Sequence, residues 1–295
     1  MYHSFKRNTN ISKYFQQQKT VNFGIPSLDN LINGNIQEGS LILIKEDKDS
    51  KLHLFIQNIF IAECISNEYE VSIFSRDVEF PCIPDKITEN ELINEKEEKM
   101  VFAWRYNHLN PPITKMKYDL TKKMNLNDKK NFKIFYDTKL LTSTILENIK
   151  NVNRNSVISI YSFLSPLWFH FDKISDEEIY KFLFSLRKTI KETKSVCLVS
   201  IPSFFKENIH FNLYFDIIFN LKSFLFTNIC PNYSCILNIE KMVPPFGLKE
   251  NDLDSLKYGI LIKRNNMVVE KVVLPPEDIV GVETTSCSTN ITNQF

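Results

Sequence analysis

Gly39-Ser40-Leu41-Ile42-Leu43-Ile44-Lys45-Glu46-Asp47-Lys48-Asp49-Ser50-Lys51-Leu52-His53-Leu54-Phe55 reads as a buried strand, a short loop and the start of a helix. The unbroken apolar run Leu41 to Ile44 suits a strand covered on both faces. Beyond the loop, Phe55, Ile56, Ile59, Phe60, Ala62 and Cys64 recur at helical spacing, which predicts a helix from Leu52 to Ser66. Val71 to Phe74 is the next apolar strand, so the segment is a strand–helix–strand unit of an α/β sheet.

The loop between strand and helix stands where a P-loop belongs. A working P-loop reads G-x-x-x-x-G-K-[ST]: the glycines let backbone N–H groups close around phosphates, while the lysine and hydroxyl serve the γ-phosphate and Mg²⁺. Here no glycine is present, and Glu46, Asp47 and Asp49 place three carboxylates where a triphosphate would sit. Acid repels phosphate. Lys51-Leu52-His53 falls at the expected lysine-hydroxyl position but lacks the glycine before it and the hydroxyl after it. The candidate nucleotide site is therefore a degenerate loop carrying Glu46, Asp47, Lys48 and Ser50, with an ATPase's layout and without its chemistry.

A second signature is missing as well. P-loop ATPases end a central apolar strand on an acid that holds Mg²⁺. Val157-Ile158-Ser159-Ile160 leads instead into Tyr161-Ser162, and Asp216 precedes its apolar strand, the wrong end for a metal. The five histidines show no metal spacing, and the six cysteines show neither C-x-x-C nor a disulfide framework. No catalytic residue and no metal site is assigned.

The chain has 295 residues, 43% of them hydrophobic, and a formal charge of +1, enough to bury one large core and too neutral for a dominant basic surface. Neither an N-terminal signal pattern nor an apolar run of membrane-spanning length stands out, so the expected location is cytoplasmic and nuclear, with no membrane partner. Only 6 glycines occur, and lysine is abundant throughout, so runs such as Lys122-Lys123 are discounted as solvated surface.

Along the chain, residues 1–20 read as a flexible arm and 277–295 as a disordered tail, flanking one domain over 21–276. Near its start Pro26 fixes the first turn of a short helix with Ser27 as N-cap, closed by Asn33-Gly34. A loop-rich elaboration is expected at about 76–155, containing a strand over Met100 to Tyr106, then Pro111-Pro112 and a lysine-rich link to Phe132 to Asp137. Regular structure then returns with a strand over Val157 to Phe163, a helix over Asp176 to Thr193 and a strand over Ser195 to Ile201. Four further strands are expected over Asp216 to Leu221, Cys235 to Lys241, Tyr258 to Arg264 and Glu270 to Leu274. Alternating strands and helices followed by consecutive strands describe an α/β fold with a mixed, mainly parallel central sheet, helices on both faces and degenerate Walker motifs; its identification as a RecA-like P-loop NTPase fold is what a family resemblance implies. Trp104-Arg105-Tyr106 reads either as a stacking surface or as ordinary packing, and Ser165-Pro166-Leu167-Trp168 either as a partner-facing loop or as a buried Trp closing the sheet.

Several strings, in this order, carry a resemblance: Gly24 to Asp29 with Leu31, Ile44 to Lys48, Ala103 to Tyr106, Tyr118 to Met124, Ser165 to Trp168, Leu186 to Lys188, and Leu274 to Glu277. With a RecA-like core stripped of Walker residues, they make the chain similar to the PAXNEB family, the RecA-like fourth subunits of the Elongator accessory ring. The resemblance implies a non-catalytic subunit in a heterohexameric ring with Elongator proteins 5 and 6. That ring docks on a catalytic core of proteins 1, 2 and 3, binds tRNA and supports 5-carboxymethyl-type modification of the wobble uridine. No cofactor is expected in this chain, and ATP, if used, would sit at ring interfaces. Lys222, Lys241, Lys263 and Arg264, near the ends of late strands, are the residues expected to hold a tRNA backbone. Two alternatives stay open: a diverged ATPase using Lys45 or Lys48 with Mg²⁺ on Glu46 or Asp47, and a structural adaptor of a RecA-like assembly with no tRNA role.

Overall fold

A computed structural model of the chain describes residues 20–32, 36–76, 81–87, 116–126, 129, 131–136, 142–169, 175–205, 209–223, 233–242, 257–263 and 266–272. The anticipated strand at Met100 to Tyr106 with Trp104, the turn at Asn33-Gly34, Arg264, and residues 1–19 and 277–295 lie outside them.

The elements in chain order are β1 (Thr20–Val21), α1 (Pro26–Leu31), β2 (Ile36–Gln37), β3 (Leu41–Lys45), α2 (Leu52–Ser66), β4 (Val71–Phe74), β5 (Pro84–Lys86), β6 (Tyr118–Lys123), β7 (Phe132–Phe135), α3 (Thr142–Lys150), β8 (Val157–Ile160), α4 (Asp176–Thr193), β9 (Val196–Ile201), β10 (Ile217–Ser223), β11 (Cys235–Met242), β12 (Lys257–Lys263) and β13 (Asn266–Lys271). Nine strands form one sheet in the order β13-β12-β11-β10-β3-β9-β8-β4-β7. From β10 to β7 every neighbouring pair is parallel, and β10 to β13 pair antiparallel.

The central parallel strands are buried along their length, as β3 (Leu-Ile-Leu-Ile-Lys) and β9 (Val-Cys-Leu-Val-Ser-Ile) show, because both faces of the sheet are covered. On one face α2 packs with Phe23, Ile25, Leu28 and the inward residues of β10 to β13. On the other, α3 and α4 enclose Phe74, Phe163, Trp168 and Phe215. The apolar stripe of α4, Ile179, Phe182, Leu183, Leu186 and Ile190, is buried as its spacing predicts. Its start is fixed by a capping box in which the Ser175 hydroxyl accepts the Glu178 N–H and the Glu178 carboxylate accepts the Ser175 N–H.

Four readings need correction. Pro26 does open α1, but the N-cap is Ile25; the Ser27 hydroxyl instead accepts the Val269 N–H at 2.9 Å, tying α1 to β13. The strand expected at Glu270 to Leu274 is β13 at Asn266–Lys271, set by its antiparallel register with β12. β8 stops at Ile160 because Ser162 and Leu164 turn the chain through left-handed conformations, φ 43° and 72°. Finally, the stretch expected to elaborate over the core contributes to it directly: β7 is an edge strand of the main sheet, and α3 buries Ile145 and Ile149 beside α4.

Candidate functional site

In a parallel sheet, ligands gather where strands end in the carboxyl direction. Here that edge carries the loop from Glu46 to Lys51 after β3, the Tyr161 turn after β8, the segment from Pro202 after β9, and Lys222-Ser223 closing β10. β9 lies between β3 and β8, so the degenerate loop and the acid-free strand are separated by one strand.

The loop fills itself. Its first residue, Glu46, donates its N–H to the Ile201 carbonyl at 2.9 Å, extending the β3–β9 ladder, and is buried. No residue from Lys45 to Leu52 takes a left-handed φ, so the alternating backbone that forms an anion nest is not made. The Asp47 carboxylate accepts the Asp49 N–H within the loop and, across the edge, the Ser223 N–H, each at 3.0 Å. Burial works to raise the Asp47 pKa, but the hydrogen bonds from Ser223, Ser50 and Asp49 outweigh it and hold the carboxyl below its usual range. An ionised side chain of the protein thus occupies the role a phosphate plays in a working loop.

The catalytic places are closed in the same manner. Leu52 stands where Ser or Thr would hold Mg²⁺, and its side chain is buried in the core with α2. His53 Nε2 lies 3.6 Å from Glu46 Oε1; burial, reinforced by Lys51, lowers the His53 pKa to about 4, so at neutral pH the contact is no ion pair. At the end of β8, Gln57 of α2 donates to the Ile160 carbonyl at 3.3 Å, and the Tyr161 hydroxyl donates to Asn58 Oδ1 at 2.6 Å. Where an acid and its metal would be, two α2 amides close onto the strand end. The residues present do not fit a magnesium triphosphate, and among the described residues no group of three or more His, Cys, Asp or Glu could hold a metal.

Beside the loop, on the β9–β3–β10 side, a cavity of about 550 Å³ opens between Lys45 to Lys48, the segment after β9 with Phe205 and Phe211, and Asn220, Lys222 and Glu240. Lys45 Nζ pairs with Glu240 Oε2 at 2.7 Å, and Asn220 donates to Glu240 Oε1 at 2.6 Å. Lys48 and Lys222 are exposed at its rim.

The four cations expected to hold RNA do not form one patch. Lys222 is at the carboxyl edge, opposite Ile236, whereas Lys241 is opposite Ile218 at the other end of the same strand pair. There the Lys241 ammonium donates to the Asn212 and Phe215 carbonyls at 2.6 and 2.7 Å, and burial lowers its pKa. It clamps the chain entering β10. Asp216, two residues on from Tyr214, completes that clamp: its carboxylate accepts from Arg187 Nη2 at 2.9 Å and from the Leu41 N–H at 3.0 Å. Lys263 closes β12, whose residue Ile260 faces Cys235, so its backbone lies beyond the edge that carries Lys222. The Ser165 to Trp168 string follows its buried-Trp reading. Trp168 is core, its carbonyl accepting from Arg76 at 2.7 Å, while Leu167 is half exposed.

Comparison with known proteins agrees with this picture of a retained fold. The profile of the PAXNEB protein family matches residues 14–294. The chain is 23% identical to Elongator complex protein 4 of Xenopus laevis, over 88% of this chain and 81% of that protein. To Elongator complex protein 4 of Homo sapiens it is 24% identical, over 88% of this chain and 78% of that protein. Among solved structures it resembles a KaiC-like protein of the archaeon Pyrococcus horikoshii OT3, with a TM-score of 0.52 and 16% identity over 85% of this chain and 99% of the other, a likeness of fold.

Proposed function

Because the chain belongs to the PAXNEB protein family, we propose that it is a non-catalytic subunit of the Elongator complex, taking part in wobble-uridine modification of tRNA. In this reading it is one of the RecA-like chains of a heterohexameric ring with Elongator proteins 5 and 6, docks through that ring on proteins 1, 2 and 3, and works in the cytoplasm and nucleus. The observation that carries it is the self-filled loop: the Asp47 carboxylate accepts the N–H groups of Asp49 and Ser223, and a buried Leu52 replaces the metal-binding hydroxyl. A chain that keeps the sheet and discards the chemistry retains what assembly needs. A nucleotide, if one is used, belongs at a junction with a neighbour whose own loop is intact. For the RNA contact the reading keeps Lys222, Lys263 and Arg264 and releases Lys241, which is spent on two carbonyls.

The test is to purify the tagged chain from its own cells and identify everything bound. Two further RecA-like chains and the Elongator core are expected. Recovery as a homo-oligomer, or with recombination factors, would refute the subunit assignment.

A further inference from the structure

Three carboxylates, Glu46, Asp47 and Glu240, and three lysines, Lys45, Lys48 and Lys222, line the cavity beside the loop. Glu240 is held by Lys45 and Asn220. Asp47 is held by two backbone N–H groups. Glu46 is buried against His53. What stays available at the mouth is cationic: Lys48 and Lys222 are exposed, and neither ammonium has an ion-pair partner among the described residues. The inner wall is aromatic, from Phe205, half buried, and Phe211, 8% exposed.

Two free ammoniums at the rim of an aromatic-walled cavity match a phosphate joined to a planar base. The volume, about 550 Å³, is within the range of pockets that enclose small organic ligands, about 300–1,000 Å³. The position also separates this cavity from the place of a bound triphosphate. Lys45 to Lys48 and the ends of β9 and β10 line it, whereas Lys51, Leu52, His53 and Tyr161 do not. With no glycine cradle and no metal ligand on that side, it offers charge for one phosphate diester rather than for a triphosphate.

We infer that this cavity binds one unstacked nucleotide of an RNA strand, its phosphate at Lys48 and Lys222 and its base against Phe205. The inference rests on the tRNA-related role proposed above and deepens it by giving the contact a place in this chain. A free nucleotide shares the same chemistry, so the test separates the two sources.

The assembly purified from its own cells is titrated against a labelled oligouridylate by fluorescence anisotropy at several salt concentrations, with UMP as competitor. The double variant Lys48→Ala/Lys222→Ala, which removes two exposed side chains, is expected to bind at least tenfold more weakly. Its log K against log salt slope should flatten by about 0.7, the contribution of the one single-strand phosphate that the two lysines no longer neutralise. A 4-thiouridine probe should crosslink to the peptide carrying Phe205, and UMP should fail to compete at concentrations that match the strand. Affinity and slope unchanged in the double variant, or no binding by the unmodified assembly, overturns the site; competition by UMP as effective as the strand's overturns the assignment to a strand. If the Elongator assembly is recovered and the double variant still binds RNA normally, this inference falls while the subunit reading stands. If the chain purifies without Elongator, the subunit reading falls whatever the oligonucleotide shows.

Discussion

Removing the Asp47 carboxylate tests whether the loop is held by an internal anion. The group accepts two backbone N–H bonds, from Asp49 within the loop and from Ser223 at the end of β10, both 3.0 Å. A hydrogen bond to an ionised group contributes about 1.5–3 kcal/mol when buried. Asp47 is only partly buried, which brings each nearer 1 kcal/mol and the pair to about 2 kcal/mol. Asp47→Ala should therefore lower the free energy of local opening by about 2 kcal/mol, which speeds hydrogen exchange at the Asp49 and Ser223 amides about 30-fold. The strands β3 and β9 should keep their protection, since their ladder does not pass through this side chain. Asp47→Asn, with one acceptor and no charge, should give a smaller acceleration. Formate added to the alanine variant should slow exchange again, because a free carboxylate can occupy the vacated position. Mass spectrometry with overlapping peptides, or amide-resolved NMR, reads all of this. Exchange at both amides within twofold of the unmodified chain, or opening that spreads evenly over the sheet, would refute the idea that this carboxylate replaces a phosphate.

Gly24 sits at φ +82°, and a Cβ there would lie 2.9 Å from Glu63 Cβ and 3.3 Å from Ile59 Cγ2 on α2. Gly24→Ala should cost about 2–4 kcal/mol from left-handed strain and the clash, lowering Tm by roughly 5–10 °C in a thermal melt; an unchanged Tm would show that α2 yields freely. Asp29 titrates against the usual direction. Burial raises its pKa from 3.8 to about 6 despite the N–H groups of Phe23 and Gly24, which donate to it at 2.7 and 3.1 Å. Between those values the folded chain holds the extra proton, so this group makes stability fall as pH rises from about 4 to about 6, by at most about 3 kcal/mol. Denaturant midpoints across that window should show the decline in the unmodified chain and a flatter profile in Asp29→Asn; equal slopes would reject the shift.

The frame is readable because it rests on local pattern. α2 and α4 have the predicted ends, Leu52 to Ser66 and Asp176 to Thr193: α2 spans its apolar run, and α4 opens at the Ser175 capping box ahead of its apolar stripe from Ile179 to Ile190. α3 is not legible: Thr142-Ser143-Thr144-Ile145 is poor in helix formers, and its two buried residues, Ile145 and Ile149, make one i, i+4 pair within a lysine- and asparagine-rich stretch. The missing glycines and acids of the loop are plain in the sequence. What replaces them is not, because Lys45 meets Glu240 and Asp47 meets Ser223 only through the pairing of β3 with β10 and of β10 with β11. For the same reason Lys222 and Lys241, on adjacent antiparallel strands, read as one patch and lie at opposite ends.

A fold that gives up a ligand also gives up the stability which that ligand supplied, since anything that binds only the folded state stabilises it by mass action. In this chain the three places of the absent ligand are each filled by the protein. A carboxylate takes one backbone N–H of the loop and one from the end of β10, a leucine takes the metal-binding position, and two amides of α2 close the strand end that would carry the acid. These replacements fill the carboxyl edge with the protein's own side chains. Beside them, on the β10 side, Glu240 is paired with Lys45 while Asp47 stays an ionised acceptor of two N–H groups, so the cations that a phosphate would meet there are Lys48 and Lys222.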